Sequence, residues 1–306
     1  PGGAPVIVVL AGGTGGAKLA RGMLDVVGGD GLVVVANTAD DVEVHGVHVS
    51  PDPDLVSLWL ADLIDARGYG LRGDTWAVMD GLEALGRPAW FRLGDRDLAL
   101  CLVRTELLRA GRRPTEAQAE VTRGLGLEAR VLPMSDDPVR TQVRTRGRWL
   151  PFQEFMILAG PGAPVEDVDL RGVDAARPTP EVLAAVGEAE AIVVGPSNPV
   201  ISIGPILAVP GMRAALAEAR APVIAVSPFV DGRAVKGPTD AFVAHAGLEP
   251  GAGAVAEAYR GLLDGLVADE PVSGLPGLET DTLMDSPAAR RRVAEETLAF
   301  ARSLRR

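Results

Sequence analysis

The chain has 306 residues, 47% of them hydrophobic, with a formal charge of −11 and a sequence pI of 4.9. That composition suits one large domain or two closely joined ones, while so acidic a surface sets aside nucleic acid and anionic membranes as main partners. A lone cysteine, Cys101, cannot form an internal disulfide, and no apolar run approaches the ~20 residues a bilayer requires.

The opening run VIVVLAG is short, has no basic leader and passes straight into glycines, unlike a secretory signal, so a cytoplasmic protein is expected. Within it, Val6–Leu10 reads as a strand buried on both faces. Helical spacing runs from Ala17 to Val27, and Leu32–Ala36 is the next strand, which completes one βαβ unit. After SPDPD, Leu55–Ala66 reads as an amphipathic helix. DTWAVMDGLEALG (residues 74–86) reads as a second helix, and a third begins at Thr115 with Gln118 placed for a capping box. Cys101, in LALCLVR, reads as a small core residue, and residues 130–158 as short strands. Then follow a helix at Pro180–Glu188, a strand at Ala191–Val194, a helix at Met212–Arg220 and a strand at Val223–Val226. The end of the chain carries strong helix signals: Ser286 as N-cap, Pro287 behind it and basic residues in the last turn. Alternation at both ends predicts an α/β fold, a Rossmann-like, open, mostly parallel sheet with helices on both faces. Its core would comprise residues 1–58 and 180–306, with a smaller helical and mixed subdomain inserted at 59–179.

The loop AGGTGGAKL matches neither familiar phosphate cradle. A P-loop pairs its last glycine directly with lysine and a hydroxyl, whereas here Ala17 separates Gly16 from Lys18 and Leu19 follows. A Rossmann fingerprint starting at Gly13 would need a third glycine where Lys18 stands. Gly12, Gly13, Gly15 and Gly16, with Thr14 between them, would still let backbone N–H groups approach an anion at a helix N-terminus. The alternative is a tight strand–helix turn with a surface lysine.

In NTADDVEVHGVHVSPDPDL, Asn37 stands where a dinucleotide enzyme places its ribose-binding acid, and Asp40, Asp41, Asp52 and Asp54 follow. Four carboxylates so close repel one another unless a cation sits among them, and magnesium with oxygen ligands fits that role. Capping and turn chemistry would explain Asp52 and Asp54 equally well singly. His45 and His48 read as strand or loop residues.

The motifs AGGTGGAKL, NTADD, SPDPD, LGDRD, LPMSDDPVRT, FQEF, GPSNPVISIGPIL and VSPFVDGRAVKGPTD occur in order across residues 11–240, with DTLM after them. Together they resemble the 2-phospho-L-lactate transferase family of deazaflavin coenzyme F-420 biosynthesis over nearly the whole chain. The resemblance implies a magnesium-dependent transfer of a 2-phospholactyl or phosphoenolpyruvyl group from a guanosine-diphosphate-linked donor. The acceptor would be the ribityl hydroxyl of the deazaflavin Fo, GMP would leave, and the enzyme would be a homodimer. On this resemblance Gly12, Gly13, Thr14, Gly15, Gly16 and Lys18 hold the donor diphosphate. Asp40 and Asp52 hold magnesium, Asp41 lies close by, and Asp54 and Arg96 meet Fo, with Asp54 as the carboxylate that orients or deprotonates the hydroxyl.

Arg96 could instead form a structural ion pair. Ser197 and Asn198 follow a strand, where ligands of open α/β sheets bind, and are read as guanosine contacts. Lys236 would reach a phosphate unless it is an ordinary surface lysine. Gln153 and Glu154 receive no role. Two rivals remain at this stage, an NAD-type Rossmann enzyme and a non-catalytic nucleotide-binding regulator. The broken fingerprint argues against the first, and the aspartate cluster against the second.

Overall fold

The computed structural model describes residues 6–304 except positions 161 and 236. Seven strands make one sheet: β1 (Val6–Ala11), β2 (Leu32–Ala36), β3 (Arg130–Pro133), β4 (Ala189–Val194), β5 (Val223–Val226), β6 (Gly265–Ala268) and β7 (Gly277–Glu279). Their order is β7-β6-β5-β4-β1-β2-β3, and every pairing is parallel. Leu10 of β1 lies opposite Val35 of β2 and Val194 of β4.

Alternation along β1 divides the core. Val8 and Leu10 join the apolar cluster on one face, under helices that include Pro180–Glu188 and Met212–Glu218. Ile7, Val9 and Ala11 join the other, packed against α1 (Gly13–Val27), α2 (Pro51–Leu60) and the final helix. Both faces are dry, which explains why these strands read as continuous apolar runs.

The chain fills the sheet outward from β1 to β3, then returns to lay β4 against the free side of β1. The carboxyl ends of β1 and β4 therefore flank a topological switch point, where an open α/β sheet leaves a crevice for ligands.

The intervening segment departs from the single 59–179 insertion. Residues 130–133, inside that stretch, are edge strand β3, in register with β2 from Val33↔Arg130 to Ala36↔Pro133. What lies outside the sheet is thus two pieces. The first holds a hairpin (Val42–Val44, Val47–Val49), a helix at Ala77–Ala84, α3 (Asp95–Arg109) and α4 (Pro114–Gly124), with a small core around Met79, Phe91 and Cys101. The second is an antiparallel three-stranded sheet (residues 140–145, 148–151 and 167–171) packed by α5 (Phe152–Leu158).

Helix boundaries moved for identifiable reasons. α2 starts at Pro51 because Pro suits a helix's first position and Asp52 and Asp54 suit its positive end. It stops at Leu60, where the chain turns through a left-handed Asp62 (φ 55°). The capping partner for α4 is Glu116, whose Oε2 accepts from the Arg113 N–H at 2.9 Å, so the box lies two positions before the Thr115–Gln118 pair the sequence suggests. α3 was not read at all. Its start depends on a long-range exchange: Asp74 accepts from the N–H groups of Arg96 (2.9 Å) and Asp97 (3.1 Å), while Asp95 accepts from those of Ala77 (3.0 Å) and Val78 (2.9 Å). The final helix, α6 (Pro287–Ser303), begins as the sequence indicates, with Ser286 Oγ accepting from the Ala289 N–H at 3.2 Å. Among the described residues, no helix is long and apolar enough to cross a membrane.

Candidate active site at the sheet switch point

A cavity of about 360 Å³ opens at the switch point. Gly12, Gly13, Thr14, Gly15 and Lys18 form one wall, Ser197 and Asn198 another, and Asp40 and Asp52 also line it. The structure thus joins the glycine loop and the Ser197–Asn198 turn, distant in sequence and both expected at the donor, with the two aspartates expected at magnesium. Lys236 lies outside the described residues.

α1 begins at the cavity with Gly12 in extended conformation and Gly13 at φ +69°, a left-handed value that favours glycine. Its N-cap, Gly12, supplies no side-chain cap and its first turn has no acid of its own, and this positive end lines the cavity. The glycines also have a packing role beyond the expected one. A Cβ on Gly15 would fall 1.9 Å from the Pro196 carbonyl oxygen, and one on Gly16 would lie 2.8 Å from both Ala11 Cβ and Ser197 Oγ. They let α1 cross the 195–202 loop at backbone distance. Two loop amides are committed inside the protein: Gly13 N–H donates to Asp52 Oδ1 at 2.8 Å and Gly16 N–H to Ser197 Oγ at 3.1 Å. Thr14 and Gly15 remain in the first turn, whose amides have no intrahelical acceptor.

Asn37, which replaces the ribose acid, proves to be a brace. Its Nδ2 donates to Asp52 Oδ2 at 3.0 Å, and its Oδ1 accepts from the Ala39 N–H at 2.9 Å. Asp52 is consequently held from two sides by neutral donors. Burial pushes its carboxyl up to about 6, against hydrogen bonds from Gly13 and Asn37 that pull it down. Asp40 is also raised well above its ordinary value, by burial first and by the Asp52 charge second. Its Oδ1 is buried without a hydrogen-bond partner. No arginine or histidine among the described residues forms a salt bridge with either carboxylate. An unpartnered carboxylate oxygen beside a second buried carboxylate is a donor set that a hard divalent cation fits.

The other two aspartates of the cluster separate from this pair. Asp41 accepts from Ser50 Oγ at 2.7 Å and meets His48 Nε2 at 2.9 Å, anchoring the hairpin. Asp54 does not line the cavity. Both its oxygens accept from Arg104, one at 3.0 Å from Nη1, and Arg104 also donates to Gln118 Oε1 at 3.2 Å. Burial raises Asp54, and the Arg104 charge draws it back part of the way. Burial works against the Arg104 charge, but Asp54 outweighs it and keeps the guanidinium protonated. A proton acceptor with both oxygens bound to a buried arginine is poorly placed to act as a base, which corrects the expectation for Asp54. Sequence reading missed Arg104, which lies fifty positions from its partner in an otherwise apolar stretch.

Arg96 is exposed at the start of α3, its Nη1 donating to the Arg72 carbonyl at 3.3 Å, and does not reach the cavity. SPDPD and LGDRD nevertheless meet: oxygens of Asp54 and Asp97 and the Cys101 sulfur lie within 4.8 Å of one another. Burial, with Asp54 and Asp74 nearby, pushes Asp97 up to about 7. Burial also raises the Cys101 thiol, consistent with a core residue and unlike a nucleophile.

Further cavity residues had no assigned role: Phe152 and Met156 of α5, Ser227 after β5, and Thr282 to Met284 before α6. α5 also replaces the strand read at that point. Gln153, next to Phe152, donates to the Asp40 carbonyl at 3.4 Å.

The model of the 2-phospho-L-lactate transferase (CofD) family matches residues 7–280. The chain is 39% identical to the phosphoenolpyruvate transferase of Kitasatospora aureofaciens, over 98% of both chains. It is 37% identical to the 2-phospho-L-lactate transferase of Methanosarcina mazei, over 94% of this chain and 98% of that one. Among solved structures, a UPF0052-family protein from Bacillus halodurans superposes with a TM-score of 0.62 at 18% identity, covering 96% of this chain and 99% of that one, which shows a shared fold. The chain belongs to the 2-phospho-L-lactate transferase family.

Proposed function

We propose that the protein transfers a 2-phospholactyl or phosphoenolpyruvyl group from a guanosine-diphosphate-linked donor to the ribityl hydroxyl of Fo, releasing GMP. The observation that carries this reading is the convergence, in one cavity, of the N-terminus of α1, Lys18 and the buried Asp40–Asp52 pair. A donor carrying two phosphates needs positive charge at its phosphates and at the leaving group. Asp40 and Asp52 would hold magnesium, which when bound supplies positive charge against the donor phosphates.

The chain's own residues position the reactants. The first turn of α1 and Lys18 receive the diphosphate. Asn198 accepts from the Val200 N–H at 2.9 Å through Oδ1, which leaves its buried, unpartnered Nδ2 to donate to the nucleotide. Ser197 orients the loop through Gly16 and keeps its own hydroxyl hydrogen for a ligand. Asn37 and the Gly13 amide fix Asp52 in place. On the acceptor side, Arg96 offers an exposed guanidinium to Fo, while Asp54, locked to Arg104, shapes that region as a positioning group. A homodimer is part of the proposal and is checked by light scattering.

The test is incubation with Fo, magnesium and, separately, the lactyl and enolpyruvyl guanosine diphosphates, followed by mass spectrometry. Product from either donor, lost with EDTA, supports the reading, and relative kcat/KM identifies the acid. GDP binding without Fo binding or product would instead favour a nucleotide-binding regulator.

A further inference from the structure

The segment between β7 and α6 enters the cavity wall as Thr282, Leu283 and Met284. Its fixation is thorough on either side of Thr282. Thr280 Oγ1 donates to Glu296 Oε2 at 2.6 Å, Asp281 Oδ1 accepts from the Leu283 N–H at 2.9 Å, and Arg292 Nη2 donates to the Asp281 carbonyl at 2.7 Å. Met284 is buried in the same apolar cluster as Ala17 and Ala20 of α1. Thr282 therefore lines the same cavity as the first turn of α1 and Lys18.

Against that background one side chain stands out. Thr282 is 4% exposed, yet its hydroxyl has no hydrogen-bond partner among the described residues. An unsatisfied buried hydroxyl destabilises the free protein, and a valine of the same shape would remove that penalty. The pinned neighbours give the segment no structural need for the hydroxyl. Asn198 Nδ2, in the same cavity, is likewise buried and unpartnered among the described residues, so the cavity holds polar groups that a polar ligand would satisfy.

We propose that Thr282 is a ligand-contacting residue whose hydroxyl donates a hydrogen bond to the diphosphate of the nucleotide bound in this cavity. The proposal rests on the donor reading above and adds a residue on the C-terminal segment to the phosphate site. The hydroxyl has three staggered χ1 positions open to it in principle and can donate to an anionic oxygen.

The experiment compares wild type, Thr282→Val and Thr282→Ser by calorimetric titration with GDP and with guanosine, alongside thermal melting of each unliganded protein. Thr282→Val is expected to bind GDP about tenfold more weakly, the effect of one lost hydrogen bond to a charged group. Guanosine affinity should be unchanged, the unliganded melting temperature equal or higher, and GDP affinity restored in Thr282→Ser. Equal weakening for guanosine and GDP, unchanged GDP binding, or a lowered melting temperature in Thr282→Val would overturn the proposal. Wild-type protein that binds no GDP would overturn the donor reading together with it, an outcome the same titration separates from a defect confined to the variant.

Discussion

Asp52 and Asp54 sit in one turn of α2, both buried, and meet opposite fates. Residues two apart on a helix point to different sides. Asp54 turns to the insertion helices and is matched by Arg104, with Gln118 and Ser57 completing a buried network. Asp52 turns to the switch-point cavity, where the Gly13 amide and Asn37 donate to it and a second buried carboxylate, Asp40, lies near. The lesson is that burial of an acid does not mark function by itself. Compensation from within the chain marks a structural joint, and its lack beside a cavity marks a place for a cation.

The largest effect should come from the uncompensated pair. Asp40→Asn and Asp52→Asn should each abolish turnover in the Fo assay while leaving the unliganded melting temperature unchanged or higher, since each removes one charge of a repelling pair. Unchanged turnover at saturating magnesium in both variants would reject them as ligands. The compensated pair should behave in the opposite sense. Arg104→Met strands a buried carboxylate and should lower unfolding free energy by about 3–5 kcal/mol, read as a fall in the urea midpoint; a midpoint equal to wild type would show that the pair contributes little.

A pH series sharpens the contrast. Asp52 has a folded value of about 6 against an ordinary 3.8, so the folded state holds its proton more tightly than the unfolded one. Its contribution makes metal-free stability fall as pH rises through that window, and magnesium should raise the melting temperature more above it than below. Equal shifts on both sides would break the link between this carboxylate and the metal. The smallest effect concerns Asp97, raised to about 7 by burial although the Arg104 charge pulls it down. Asp97→Asn should modestly stabilise the protein above neutral pH and have no effect at low pH, where the native carboxyl is already protonated.

Local pattern carried four of the seven sheet strands and the cavity's main elements, while β6 and β7 are not legible in it. β1, β2, β4 and β5 are dense β-branched runs bounded by turn residues, and Ser286–Pro287 announces α6, so short-range chemistry sufficed there. The Gly12–Lys18 loop and the Ser197–Asn198 turn were legible because strand ends in α/β folds bear ligands. What escaped depends on distant partners. β3 is four residues long, and only its pairing with β2 makes it a core strand. The caps of α3 come from Asp74, and the reason Gly94 carries no side chain is that same Asp74, whose Oδ2 would lie 2.1 Å from a Cβ there. The four aspartates could be grouped from sequence, but dividing them required seeing His48, Ser50 and Arg104 take two of the four. Thr282 lay inside a motif, DTLM, with nothing local to reveal that its hydroxyl lacks a partner.

The central claim is that Asp40 and Asp52 form the cation site of the cavity. Its most direct test is manganese binding, followed by electron paramagnetic resonance, in GDP-saturated wild type and in Asp40→Asn and Asp52→Asn near neutral pH. The account predicts protein-bound manganese in the wild type that magnesium displaces and that both variants lose. Equal binding in all three proteins would contradict it.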